Sequence, residues 1–199
     1  VLNATEITIS GLTANSNYVY RVRACNSGGC SDNSEVISVT TLAYPPPAPE
    51  NVSVSDILQT SFTINWDVAT EAAGYNVDVA TDESFTSLVV DNYDTFSMNQ
   101  HAVSGLTSNT TYRIRVRAYN NGGTGDYSIT VSVTTLPDPP SVYPDNIYAD
   151  GVSQTSFTMH WDAVATATGY DLEVSLVNDF STHLPGFDGL DVGNVTSYA

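Results

Sequence analysis

The sequence predicts an all-β chain of two-sheet sandwiches in tandem, and three observations carry that expectation. Apolar residues alternate with a period of two through short segments, as a strand with one buried face requires. Gly, Pro, Ser, Thr, Asn and Asp are spread evenly between those segments, and long runs of helix formers are missing. The sequence also repeats itself about every 95 residues, a common domain size.

The repeat is read from three matches. "TSFTINWD" at Thr60 returns as "TSFTMHWD" at Thr155, and "GYNVDVA" at Gly74 returns as "GYDLEVS" at Gly169. "SGLTANSNYVYRVRACNSGG" at Ser10 returns as "SGLTSNTTYRIRVRAYNNGG" at Ser104. Two proline-rich joints punctuate the units, "LAYPPPAP" at 42–49 and "LPDPP" at 136–140. Such segments favour the extended polyproline conformation and act as stiff spacers. The expected organisation is the back half of a module at 1–43, a complete module at 44–136, and the front part of a third at 137–199. Either the chain is a window of a longer array, or the half modules complete one another between chains by strand addition.

Within the complete unit each strand is justified by its alternation. Phe62, Ile64 and Trp66 share one face of "SFTINW". Tyr75, Val77 and Val79 share a face of "GYNVDVA", and Tyr112, Ile114, Val116 and Ala118 share a face of "YRIRVRA". Ile129, Val131 and Val133 are expected to do the same in "SITVSVTT". These faces predict an immunoglobulin-like sandwich with Trp66 at the centre of its core.

These residues resemble fibronectin type III modules. The resemblance rests on Trp66 and Trp161 in the second strand, and on Tyr75 and Tyr170 opening the third. It also rests on the spacing Leu-x-x-x-x-x-Tyr from Leu106 to Tyr112 and from Leu12 to Tyr18. The last pattern looks like a tyrosine corner, in which the phenol bonds backbone upstream. The resemblance implies tandem sandwiches covering the whole chain: strands E-F-G of one module, one complete module, and strands A-B-C and following of a third. Trp66, Trp161, Tyr75, Tyr170, Tyr18 and Tyr112 are then core residues. The wording of "GYNVDVATDESFTSL" and "RACNSGGCS" is similar to modules of large secreted bacterial proteins, which implies an extracellular or cell-surface location.

Charge narrows the partners. Acidic residues number 22 against five basic ones, for a net charge of −17. Nucleic acid and anionic membranes are poor partners for such a surface, because both are bound through Lys and Arg. No apolar run approaches the ~20 residues of a membrane-spanning helix. The five cations are all arginines, confined to "YVYRVRA" (Arg21, Arg23) and "YRIRVRA" (Arg113, Arg115, Arg117). If the apolar residues between them point inward, the arginines form an exposed basic ladder. The resemblance makes this strand F and its neighbour strand C, which carries Asp78 outward, as Asp171 and Glu173 do in the third unit. Cross-strand pairs of opposite charge then answer the clustering, each contributing roughly 0.2–1 kcal/mol. The rival reading is an anion-binding stripe.

Cys25 and Cys30 flank "NSGG" at a hairpin turn and are expected to form a disulfide, which implies an oxidising compartment. Acidic clusters at Asp91 and Asp94, at Asp188 and Asp191, and at Asp138 and Asp145 could hold calcium, but no EF-hand spacing is present and the expectation is no cofactor. Sequons begin at Asn3, Asn51, Asn109 and Asn194. Nothing resembles a nucleophile motif or a phosphate-binding loop around His101, His160 or His183. The integrin-type Arg is absent before "GDYS".

The function expected is therefore non-catalytic: a structural or adhesive segment of a repeat array, as a stalk, adhesin or filament shaft. Its partners would be other modules of the array, neighbouring chains, or an extracellular protein or carbohydrate. The alternatives are spacer modules of a secreted multidomain enzyme, or a fibre subunit that polymerises through its half modules.

Overall fold

The computed structural model describes residues 4–199 as strands and turns, without helices among them. The chain divides into two compact units, 1–136 and 137–199.

The first unit opens with β1 (Asn17–Tyr20), β2 (Cys25–Asn26), β3 (Gly29–Cys30) and β4 (Ile37–Thr40). β1 pairs antiparallel with β4, and β2 with β3. This segment carries a single layer, so its apolar face stays uncovered. Val22 is 64% exposed, whereas Val116 at the matching position of the next repeat is fully buried.

The rest of the unit is a sandwich. One sheet has β5 (Ser53–Ser55), β6 (Ser61–Asn65) and β9 (Gln100–Ser104), in the order β5-β6-β9. The other contains β7 (Gly74–Ala80), β8 (Leu88–Asp94), β10 (Thr111–Asn120), β11 (Gly123–Tyr127) and β12 (Val131–Thr134). Here β10 is central, paired with β7 on one side and with β11 and then β12 on the other. Phe62, Ile64 and Trp66 meet Tyr75, Val77, Val79, Tyr112, Ile114, Val116 and Ala118 between the sheets in one core. The period-two alternation of these three strands is what turns one face of each inward.

The last strand departs from its expected face. Val131 and Val133 pack on the core, but Ile129 is 77% exposed. The cause lies one residue earlier. Ser128 is buried; its amide donates to Val116 O and its Oγ accepts from Val116 N. That local exchange breaks the strand between β11 and β12, and the alternation restarts at Val131.

The second unit has β13 (Tyr148–Asp150), β14 (Thr158–His160), β15 (Asp171–Leu172), β16 (Leu190–Asp191) and β17 (Ser197–Tyr198). They form a three-stranded sheet, β13-β14-β17, and a separate β15-β16 pair. The pairing of Phe62 and Ile64 neighbours in the first unit is echoed here, since β14 again lies between two antiparallel partners.

Candidate functional site

The aromatic anchors are built alike in both units. Tyr75 Oη accepts the Ala69 amide at 2.9 Å, and Tyr170 Oη accepts the Val164 amide at 2.8 Å. Each tyrosine meets its tryptophan edge-on, Trp66–Tyr75 at 5.6 Å and Trp161–Tyr170 at 5.5 Å between ring centroids. The upstream bond of the Leu-x-x-x-x-x-Tyr spacing is present twice. Tyr112 Oη accepts from Thr107 N and Tyr18 Oη from Thr13 N, both at 2.9 Å. The Thr13 amide holds the Tyr18 phenol below its ordinary value. Trp66, Tyr75, Tyr112 and Trp161 are buried. Tyr18 and Tyr170 are only half-buried, a correction to their expected place in a core. For Tyr18 the reason is that, among the described residues, no second layer covers β1 and β4.

The arginines also need correction. Arg113, Arg115 and Arg117 lie on the outward face of β10, but none of the three is fully exposed. Asp78 faces Arg115 in register across β7 and β10. It is 2% exposed rather than solvated. Arg115 Nε donates to Asp78 Oδ2 at 2.8 Å and Nη2 lies 2.8 Å from the same oxygen as an ion pair, while Asp78 Oδ1 accepts the Asn92 amide at 2.8 Å. That second bond caps the irregularity in β8, where Asn92 has φ 46°.

Two aromatic rings close over this pair. The Arg115 guanidinium lies 4.1 Å from the Phe85 centroid and 3.8 Å from the Tyr127 centroid. Arg117 lies 4.7 Å from the Tyr127 centroid and donates to Asn92 Oδ1 at 2.6 Å. Burial, then its hydrogen bond with Asp78, push the Tyr127 phenol up. Arg113 meets Glu83 at 3.2 Å, with Glu83 84% exposed. The result is a small second cluster on the outer face, with the half-buried Arg115 guanidinium between two rings and paired with the buried Asp78. Arg21 and Arg23 differ: they lie beyond the end of β1 and are exposed. The sequence reading missed Phe85, Tyr127 and Asn92 as partners. Phe85 and Tyr127 lie in segments with turn-like composition, "ESFTSL" and "GDYS", so no alternation marks which way they point.

The disulfide is formed between Cys25 and Cys30, which are partners across β2 and β3. Of the acidic clusters, Asp94 Oδ1 accepts from Phe96 N and from Tyr119 Oη, so it is already engaged. Asp191 Oδ1 accepts from Gly193 N. A different group gathers in the second unit: His183 Nε2 lies 3.5 Å from Glu173 and Nδ1 lies 3.6 Å from Asp188. The two carboxylates address opposite ring nitrogens, which suits a bridged imidazole better than the shell of one ion. Asn51 Nδ2 donates to Asp67 Oδ2 at 2.7 Å, while Asn109 and Asn194 are exposed. Asn3 lies outside the described residues.

This geometry defines a class: all-β modules of the immunoglobulin-like kind, with aromatic corners and an outer sheet face paired largely within itself. A fibronectin type III domain is recognised over residues 47–134. Relatives extend beyond that stretch. The chain is 30% identical over 189 residues to the phosphatidylinositol phosphatase PTPRQ of Homo sapiens, covering 86% of this chain. It is 31% identical over 173 residues to neogenin of Homo sapiens, covering 82% of this chain. It is 32% identical over 141 residues to contactin-6 of Mus musculus, covering 65% of this chain. The chain spans only 8%, 11% and 14% of those proteins' lengths. A crystal structure of titin domains shares the fold, with a TM-score of 0.50 at 22% identity over 63% of this chain and 43% of its own. Among the described residues no helix is long and apolar enough to cross a membrane.

Proposed function

We propose that the chain is a non-catalytic structural or adhesive segment of an extracellular repeat array, with one complete module at 44–136 flanked by parts of two others. The observation that carries this reading is the outer face of β10. Its three arginines are spent on Asp78, Glu83, Asn92 and the Phe85 and Tyr127 rings, which makes the face a stiffener of the module. Tandem modules on proline joints supply reach, and a net charge of −17 keeps neighbouring chains from clumping. The partners would be other modules, neighbouring chains, or an extracellular protein or carbohydrate. Kinship with bacterial secreted proteins rests on the wording of two segments alone, whereas neogenin and contactin-6 are animal proteins.

A second reading is favoured by one observation. PTPRQ is named as a phosphatase, and this chain matches only 8% of it, so a catalytic domain can sit beside such modules. The chain would then be the spacer of an enzyme. One experiment separates the two. The segment is deleted from the native polypeptide, and intact cells are assayed for surface display, adhesion and any activity the whole protein has. Loss of adhesion or reach, with display kept, supports the array reading. Unchanged adhesion together with altered catalysis supports the spacer. Absence of the undeleted protein from both the cell surface and the medium overturns both.

A further inference from the structure

We propose that the hairpin between β10 and β11 is a latch that fixes the first proline joint, so that the layer of residues 4–42 and the sandwich behind it move as one piece. This deepens the array reading and rests on it. It concerns how the array transmits orientation, which proline content alone leaves open.

The anchors on the two sides of the joint lie two residues apart. On the upstream side, Leu42 O accepts from Asn15 N at 3.0 Å and Thr41 N donates to Ser16 O at 3.0 Å. On the downstream side, Tyr44 O accepts from Asn120 Nδ2 at 2.8 Å. Only Ala43 lies between these anchors, and Pro45, Pro46 and Pro47 follow with φ fixed by their rings. Few free dihedrals remain from which to make a hinge.

The Asn120 carboxamide is used in full. Besides Tyr44 O, its Nδ2 donates to Glu71 O at 3.2 Å, and its Oδ1 accepts from Gly122 N at 2.7 Å. One side chain thus ties the joint, the loop before β7 and the hairpin apex together. Gly122 has a separate role. Its φ is outside the left-handed region, so the turn does not need glycine there; the neighbouring Gly123, at φ 132°, serves the turn. A Cβ on Gly122 would run into the Ala43 carbonyl oxygen. The residue is small because the joint lies against it.

The first repeat supplies a built-in control. Its hairpin has the same apex: Asn26 Oδ1 accepts from Gly28 N at 2.8 Å, and Gly29 has φ 130°. There a Cβ on Gly28 would meet only Asn26 Oδ1, at 3.2 Å. The apex geometry is therefore independent of the joint, and what Gly122 adds is contact with Ala43.

The test places nitroxide labels on the whole chain at Thr40→Cys and Ser132→Cys, exposed strand positions on either side of the joint. Pulsed electron resonance then reads the distance distribution. The expected result is a single narrow peak in the otherwise unchanged chain and in the Gly28→Ala control. Asn120→Ala is expected to lose that peak to a broad distribution, and Gly122→Ala to shift its mean. An unchanged unfolding midpoint of the sandwich shows that each variant still folds. A broad distribution without any latch substitution overturns the proposal, and so does a narrow, unshifted peak in Asn120→Ala. Either failure leaves the array reading standing, because that reading falls only with the surface and adhesion assays.

Discussion

Replacing Asp78 with Ala removes the carboxylate on which the outer face of the sandwich is built. The side chain is 3% exposed and Arg115 is 27% exposed. Without Asp78, the guanidinium stays between Phe85 and Tyr127 with no counter-charge, and the Asn92 amide loses its acceptor at the irregularity in β8. Deleting one partner of a fully buried pair costs about 3–5 kcal/mol. Arg115 keeps a route to water along its exposed edge, which lowers the expected cost to about 2–3 kcal/mol. For a domain of this size that is a fall in melting temperature of roughly 10–20 °C. The assay is urea unfolding of the whole chain in a Trp161→Phe background, so that Trp66 alone reports the sandwich. Asp78→Leu with Arg115→Leu should recover much of the loss, since a packed apolar pair can match a buried ion pair. Arg113→Ala gives the contrast. Its partner Glu83 is 84% exposed, so the cost should be roughly 0–1 kcal/mol and should shrink at high salt. A loss of less than about 0.5 kcal/mol in Asp78→Ala, within the range of an exposed pair, would refute the buried core on the outer face and restore a solvated ladder.

Tyr112→Phe keeps the ring but leaves the Thr107 amide without its acceptor, and should cost about 1 kcal/mol in the same unfolding assay. Reducing Cys25–Cys30 releases a short loop worth roughly 2 kcal/mol. Its effect should stay within β2 and β3, so amide exchange should rise there while the Trp66 transition keeps its midpoint. His101 stacks on Tyr93 at 4.2 Å, and burial holds its imidazole below the ordinary value. The unfolded chain therefore binds the proton more readily, so stability should fall as pH drops below about 6.5, the ordinary imidazole value. His101→Gln should flatten that part of the pH profile, measured by chemical unfolding at stepped pH.

How much was legible in the sequence depends on whether a residue's neighbours are set by alternation or by loops. Phe62, Ile64, Trp66, Tyr75 and Tyr112 could be placed because strand period and repeat spacing agree on their faces. The register of Arg115 against Asp78 follows from the same logic once two strands are assigned as neighbours. Burial of that pair does not follow. It depends on Phe85, in the turn before β8, and Tyr127, at the end of β11, and neither belongs to an alternating run. Ile129 fails for the complementary reason: the alternation is there in the sequence, but Ser128 satisfies Val116 on both sides and shifts the phase.

The joint shows the same division at larger scale. Proline content predicts a stiff spacer, and stiffness within the spacer says nothing of its attachment at either end. Attachment is decided by carbonyl oxygens, which every residue has and no composition reveals. Leu42 O and Tyr44 O are fixed by Asn15 and Asn120, residues 15 and 120 in a chain where they look like ordinary turn formers. The doubling of glycine at Gly122 and Gly123 is only a partial trace, because Gly28 and Gly29 repeat it. A hairpin turn needs glycine at the left-handed position, Gly123, and the second glycine is surplus to the turn. The surplus alone does not mark an approach, since the first hairpin doubles its glycine too and a Cβ on Gly28 would meet only Asn26 Oδ1. At Gly122 the approaching segment is the joint that links one module to the next.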